Sequence, residues 1–539
     1  MLEFLTETDE TEKMSDKKLS ILIGCLVSLL FILIIFTPQN VDPLYTGWVK
    51  NGGGDNLQHY LGWRFFRYDG WNRFFLFMRN LNYPVGTSVI VTDSNPLFCL
   101  LLKPLNSILP DEFQFNGLWI VLSYLLIAFF SAVISWQLTH ETAFTLAGTF
   151  IAILNPVVMQ RALIHDTLTS HWLILAAVWL ALNFDKRWNP VGWFVLTETA
   201  LLIHIYFIPL LAFVLVLQII RMGIKKQPFI KIIVPIIVFA LALILGYYLL
   251  GFSHILPQTG SYGELSMNLN AFINPDSIPS ILGSRATNPL QYEGFNYWGI
   301  GLILLVLAAC TIDGKNFIKH SVCYLLPAML LIVLAVSNEA YFDKTMIWHF
   351  EIPEWINSYL SIFRSSGRLA WPLYYLVMFV SLYVLAKKTG NNKIAVFIAV
   401  FCVILQAVDL NGFHRQTAGR FRNPGNDLPE LDESLQKSIP DETIHLYCSD
   451  GDTKTVDALA LFAADHHMTF NKSANARSIE HIYGGDQMEM SELSCSQLQP
   501  GSVYVYLSGD EYPENLDLCE NAEVRKSDGW IMVNKKPSP

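Results

Sequence analysis

LSILIGCLVSLLFILIIF, residues 19–36, is a continuous apolar run closed by Thr37-Pro38. A helix needs about 20 predominantly apolar residues to cross a hydrocarbon core of about 30 Å, so this run predicts a membrane-spanning helix. The 18 residues before it are polar and end in Asp16-Lys17-Lys18. A cleaved signal peptide would have a shorter apolar region followed by a small-residue cleavage site, and the sequence shows neither, so the helix is expected to persist as a span.

Working outward, comparable runs recur at about 117–137, 143–160, 171–184, 191–205, 206–220, 232–252, 296–312, 321–336, 369–386 and 393–409. Together they predict an all-α polytopic membrane domain of roughly eleven transmembrane helices over residues 19–410. Lys17 and Lys18, Lys186-Arg187, Arg221 with Lys225 and Lys226, Lys315 and Lys319, and Lys387-Lys388 with Lys393 fall in alternate short loops, which places residues 1–18 in the cytoplasm. Only the loop around His140 and Glu141 is neutral. An odd number of crossings then puts residues 411–539 on the opposite side, the periplasm if the membrane is a bacterial inner membrane. Long loops at about 38–115, 253–295 and 337–367 fall on the same outer side.

Composition agrees. The chain has 539 residues, of which 52% are hydrophobic and only 15% charged. The charged share is about ten percentage points below that of an ordinary soluble domain. A formal charge of −10, with basic residues scattered in small clusters, argues against nucleic acid as a partner. Cys25, Cys99, Cys310, Cys323 and Cys402 lie in or beside apolar runs, where a thiol behaves as a small hydrophobe. No CxxC pair supports a zinc site. The tail reads as a small soluble α/β domain, with β-type runs at 443–447, 502–507 and 530–533 around a helical stretch near 456–464. In an oxidising compartment Cys448, Cys495 and Cys519 allow one disulfide; three pairings are open, and Cys495 with Cys519 is the expected one.

The residues able to carry chemistry collect in the outer loops. The first holds NGGGDNLQHYLGWRFFRYDGW (51–71), in which Asp55, Gln58 and His59 stand at i, i+3, i+4. If Asp55 opens a helix, the three share one face and the carboxylate sits at the positive end of the macrodipole. An N-capping aspartate with no other task is the plainer reading. Tyr60, Trp63, Phe65 and Phe66 suit a helix lying in the membrane interface. QYEGFNYWG (291–299) carries Glu293 and Tyr297, and FRSSGRLAWPLYY (363–375) carries Arg364 and Arg368 just before a span. Two arginines so placed can hold a phosphate or pyrophosphate through charge-assisted bonds, the alternative being interfacial anchoring by snorkelling. NPVVMQRALIHDTLTSHW (155–172) adds Arg161, His165, Asp166 and His171, which can line the same cavity or hold a divalent cation, though the spacing matches no strong metal motif. Asp93, in VTDSNPL (91–97), is first of all a turn residue.

With these residues assembled, the chain resembles the GT-C class of polytopic glycosyltransferases, and within it a bacterial envelope membrane family with GGDxxQHYLGW, YEGFxYLG and FRSSGR patterns. Here these stand at Gly53-Gly54-Asp55 through Trp63, Tyr292 to Gly299, and Phe363 to Arg368. The resemblance implies an inverting hexosyltransferase that takes a sugar from a polyprenyl-phosphate-linked donor and passes it to a glycan or glycolipid acceptor on the outer face of the membrane. It implies Asp55 as the catalytic base, Arg364 or Arg368 as the clamp on the departing phosphate, and His59, Gln58, Glu293, Tyr297, Asp93, Arg161, His165 and Asp166 as substrate-binding residues. Asp55 lacks the second acid of the DxD and ExD forms, with Gly53 two residues before it. A divalent cation is therefore the one cofactor left open. The reading requires Asp55, Glu293, Arg364 and Arg368 to meet in one pocket. The rival functions are a lipid-linked glycan transporter or flippase, an O-antigen polymerase or ligase, and a non-catalytic assembly protein. A transporter would show repeats and ionisable residues at the membrane midplane, and the spanning runs are largely free of charge.

Overall fold

The computed structural model describes residues 2–51, 55–72, 74–185, 188–256, 262–389, 391–425, 428, 430–480, 483–484 and 487–536. The glycines Gly53 and Gly54 and the pair Lys186-Arg187 lie outside the described residues. The chain forms two compact units that do not follow chain order: Met1–Asp42 with Gly117–Leu245 and Pro257–Asn423, and Pro43–Asn116 with Gly246–Leu256 and Pro424–Pro539.

The first unit is helical. Among the described residues seven helices are long and apolar enough to cross a membrane: Ser15–Phe36, Asn116–Thr139, Thr142–Ile164, Phe207–Ile224, Phe229–Leu249, Ser366–Lys388 and Asn392–Arg422. The expectation of eleven counted four further runs. Two of them form helices of 12 and 14 residues, Trp172–Asn183 and Pro190–Ile203. At 1.5 Å per residue these extend only about 18–21 Å. The other two belong to one helical stretch, Ile300–Val336, bent where Asp313 leaves helical geometry. The apolar runs are where expected; what the periodicity did not show is how far each stays straight.

These helices present apolar side chains outward. On the first, Leu19, Leu22, Leu26, Leu30 and Ile34 form an exposed stripe at helical spacing. Leaving each in water would forgo roughly 1.5–3 kcal/mol of burial, so the stripe suits hydrocarbon. The protein is a membrane protein of helical type with an additional C-terminal α/β part. Helix starts follow local chemistry. Asn155 accepts the Val157 N–H at 2.9 Å and is followed by Pro156, which breaks the third span into two helical pieces. Asn391 caps the last span by accepting from Lys393 and Ile394 N–H groups. That last helix, expected to end near residue 409, continues to Arg422, so the soluble tail starts later than 411.

The second unit centres on a five-stranded sheet in the order Thr469–Phe470, His445–Cys448, Ser502–Leu507, Trp530–Lys535, Ala522–Ser527. The first three strands run parallel, the last two antiparallel to their neighbours. The parallel crossover from His445–Cys448 to Thr469–Phe470 uses the helix Thr453–Asp465, capped by Asp452, which accepts from the Thr455 N–H at 3.1 Å. All six residues of Ser502–Leu507 are buried, as expected of a strand covered on both faces. The edge strand Thr469–Phe470 is covered by the first long loop. Tyr83 N–H donates to Phe470 O at 2.9 Å, and Phe470 N–H donates to Asn80 O at 2.8 Å. An open edge invites pairing with other chains, and this loop closes it. Thus residues 43–116, expected as an outer loop of the helical domain, fold together with the tail.

Cys495 and Cys519 form a disulfide closing 24 residues, the expected pairing, and Cys448 is a buried free thiol. Closing a loop of that size stabilises by roughly 3 kcal/mol through the unfolded chain. Reduction, or Cys495→Ser with Cys519→Ser, should lower the melting transition of the sheet-bearing unit, read by near-ultraviolet circular dichroism, while the far-ultraviolet helical signal persists.

Candidate functional site

Three motif segments converge in the first unit. The turn Ser366–Ala370 lies against the turn Pro289–Gly294 so closely that a Cβ on Gly367 would fall 2.4 Å from the Gly294 Cα. Only a glycine fits such a backbone-to-backbone approach. Asn296 bridges the two, its Nδ2 donating to Gly294 O at 3.0 Å and to Gly367 O at 2.9 Å. The next residue of one turn and the preceding residue of the other are thereby set face to face. Arg368 Nε and Nη2 each lie 2.9 Å from Glu293 Oε2. The same oxygen is 2.8 Å from Nη1 of Arg161, which comes from the helix Pro156–Ile164.

One carboxylate oxygen therefore serves two guanidinium groups, and all three side chains are buried. Burial alone would raise the Glu293 pKa; the adjacent Arg161 and Arg368 outweigh it and bring it down to about 2. The three groups carry a formal charge of +1. Aromatic faces hold the arginines in place: Arg368 sits 4.6 Å above the Tyr206 ring and Arg161 5.7 Å above Trp371. Tyr206 is itself held, accepting the Ser365 N–H through its hydroxyl at 2.8 Å.

Arg364 has a different fate. Its four-residue spacing from Arg368 would align the two on a continuous helix, but the chain leaves helical geometry at Ser365. Arg368 is tied to Glu293, whereas Arg364 is partly exposed and has no ion-pair or hydrogen-bond partner among the described residues. The expected arginine pair is thus a buried triad centred on Glu293 plus one available cation. Glu293, expected to meet sugar hydroxyls, has its Oε2 engaged by both guanidiniums.

Histidines stand nearby in the chain. His165 pairs with Thr167 Oγ1 at 2.9 Å, and its ring centre lies 5.2 Å from that of His204. His204 Nδ1 accepts the Tyr206 N–H at 3.2 Å, so in the neutral ring its proton is on Nε2. His171 packs 4.5 Å from Trp371 and pairs with the Tyr375 hydroxyl at 3.0 Å. Asp166 accepts the Thr167 N–H at 2.9 Å. Tyr297 donates to Asp409 Oδ2 at 2.7 Å, and Asp409 also accepts from Ser280 Oγ and from the N–H groups of Ile281 and Ile300. The Tyr297 hydroxyl is committed to holding its own loop.

In the second unit, Asp55 is the residue before the helix Asn56–Tyr68; it is exposed and makes no side-chain capping bond. A carboxylate oxygen of Asp55 and a ring nitrogen of His59 lie within 4.8 Å of each other, with His59 buried and Gln58 partly exposed. Tyr60, Trp63, Phe65 and Phe66 are all buried in protein, correcting the expectation of an interfacial helix. The reason is polar: Arg64 pairs with Asp465 at 2.8 Å, and Arg67 binds Asn106 Oδ1 at 2.6 Å and Asp111 O at 3.0 Å, seating the helix in the unit. Asp93 adopts φ 54° in a turn, as its sequence context suggested.

Sequence reasoning did not single out Tyr206, His204 or Asp409. Asp409 had a signal, being an acid at the end of an otherwise apolar run, where ionisable groups are costly and seldom idle.

Glu293→Gln should leave two buried guanidiniums facing each other and lower stability by roughly 3–5 kcal/mol, measured by thermal melting in detergent. The folded-state pKa is depressed from 4.5 to about 2, so the carboxylate's contribution is complete above the unfolded value and lost as pH falls through the folded one. The gap in melting temperature between the native protein and Glu293→Gln should therefore narrow between about pH 4 and pH 2.

A family model described as a domain of unknown function, DUF6311, matches residues 25–411. The match includes Asp55, the triad and Arg364, and stops before the C-terminal strands. No curated protein matches the chain.

Proposed function

We propose that this chain, which belongs to the DUF6311 family, is a GT-C-type membrane glycosyltransferase that uses a polyprenyl-phosphate-linked sugar and acts on the outer face of a bacterial inner membrane. In this reading eleven helical segments traverse the membrane with the N-terminus cytoplasmic, the shorter helices being tilted or partly inserted. The observation that carries it is the set of fixed cations: Arg161 and Arg368 locked around Glu293, with Arg364 available on the same turn-rich segment. A rigid array of guanidiniums stabilises charge as it develops on a departing phosphate, and does so without reorganising at the moment of reaction.

The reaction is an inverting displacement. The acceptor hydroxyl oxygen attacks the anomeric carbon and its proton passes to the Asp55 carboxylate. The bond from that carbon to the phosphate oxygen breaks, and its electron pair leaves with the polyprenyl phosphate. Asp55 is exposed and free of a capping role, with the His59 ring within 4.8 Å, as a base that must meet substrate requires. Glu293 acts as a positioning residue, through the arginines. The acceptor is a cell-envelope glycan or glycolipid.

Asp55→Asn should reduce transfer by roughly 10²–10⁴-fold with the melting temperature unchanged. Mass spectrometry of envelope glycans from cells with the native protein, with Asp55→Asn and with no protein reads this directly. Identical hexose content in all three would refute a transferase. Full activity in Asp55→Asn alone would remove the base while leaving the transfer. Arg364→Ala should mainly raise the KM for the lipid-linked donor, about tenfold for one lost charge-assisted contact.

A further inference from the structure

The helix Trp172–Asn183 begins beside the His171–Trp371 stack and runs roughly 18 Å to its other end. There, one helix length from the triad, the first unit contains a second cavity of about 300 Å³, lined by Lys17, Val133, Trp136, Gln137, His140, Trp179 and Asn183. That volume is at the lower end of small-molecule sites and matches a polar headgroup. Nothing in the proposed transfer uses it.

The lining is built in layers. Gln137 and Asn183 exchange reciprocal amide hydrogen bonds at 3.2 and 3.1 Å, and Asn183 also donates to Trp179 O at 2.8 Å. Both Asn183 N–H groups are thereby engaged, and Gln137 keeps one donor for a ligand. Trp136 and Trp179 contribute aromatic faces, with the His140 ring 6.5 Å from Trp136, edge to face. Lys17 stands on the first helix, partly exposed and with no ion-pair or hydrogen-bond partner among the described residues. Lys387 Nζ donates to Thr139 O at 3.0 Å, one residue from His140, adding a second ammonium to this end of the unit.

We infer that this cavity is a binding site for an anionic glycerophosphate headgroup, such as that of a phosphatidylglycerol-type lipid. An ammonium and a ring N–H or amide donor suit the phosphate oxygens, while indole faces suit the C–H surface of a glycerol unit. The cavity sits where an apolar span meets its polar, basic flank, which is the depth a phosphate headgroup occupies. The site is independent of the transfer reaction: it stands or falls without the Asp55 chemistry.

The test uses the purified full-length protein in a non-ionic detergent, titrated with dihexanoylphosphatidylglycerol by calorimetry and by tryptophan emission. Saturable one-site binding is expected, weakened about tenfold in Lys17→Gln, which removes a cation without a structural partner and should melt as the native protein does. Trp179→Ala should weaken binding as well, through loss of a stacking face. Dihexanoylphosphatidylcholine, whose choline offsets the phosphate charge, should bind more weakly. Glycerol 1-phosphate distinguishes the source: competition only at much higher concentration supports a lipid headgroup, and binding as tight as the lipid's supports a soluble phosphate ester in the same site. Non-saturable uptake, or equal affinity for both lipids with no change in Lys17→Gln, would overturn the site.

Discussion

A single carboxylate oxygen, Glu293 Oε2, is claimed by two buried guanidinium groups, and much of the helical unit is arranged around that demand. Removing an ion from water costs several kcal/mol after relaxation, so three buried charges persist only if their geometry is tightly held. The means of holding them are visible. Gly294 and Gly367 allow two turns to meet backbone to backbone, Asn296 ties both carbonyls, and Tyr206 and Trp371 cover the guanidiniums. Arg161 rides on a helix restarted by Asn155-Pro156, so a break in one span becomes the support of the site.

A second network keeps the same loop region from drifting. Asp409, near the end of the last span, accepts four hydrogen bonds from Ser280, Ile281, Tyr297 and Ile300. A buried aspartate satisfied this fully fixes the chain just after Glu293, which lets the carboxylate be placed without help from substrate. The unit that carries Asp55 uses the same device with opposite polarity. There Arg64 and Arg67 are the buried charges, and carbonyls of Asp111, Leu109 and Ala464 with the carboxylate of Asp465 answer them.

Much of this was legible in residue order. The span-length apolar runs, the α/β character of the tail, its buried central strand Ser502–Leu507 and the Cys495–Cys519 bridge follow from hydropathy, alternation and compartment. The three motif segments also stood out, because glycines beside charged residues in outer loops have few reasons to occur together. The pairing was not legible: Arg364 and Arg368 look equivalent by spacing, and only the break at Ser365 sends one into the triad and leaves the other without a partner. Likewise the aromatic residues after Asp55 are compatible with a lipid surface until Arg64 and Arg67 commit that helix to protein contacts.

What sequence by itself determined was the solvent each segment prefers, since a run of apolar side chains states its transfer free energy without reference to neighbours. What only the tertiary structure decided was which charges neutralise one another. Arg161, Glu293 and Arg368 are 132 and 75 positions apart, and an ion pair over such distances is specified by how turns and helices stack rather than by any local preference. The same holds for the first long loop, whose place at the edge of the C-terminal sheet depends on unsatisfied strand N–H and C=O groups that exist only once that sheet has formed.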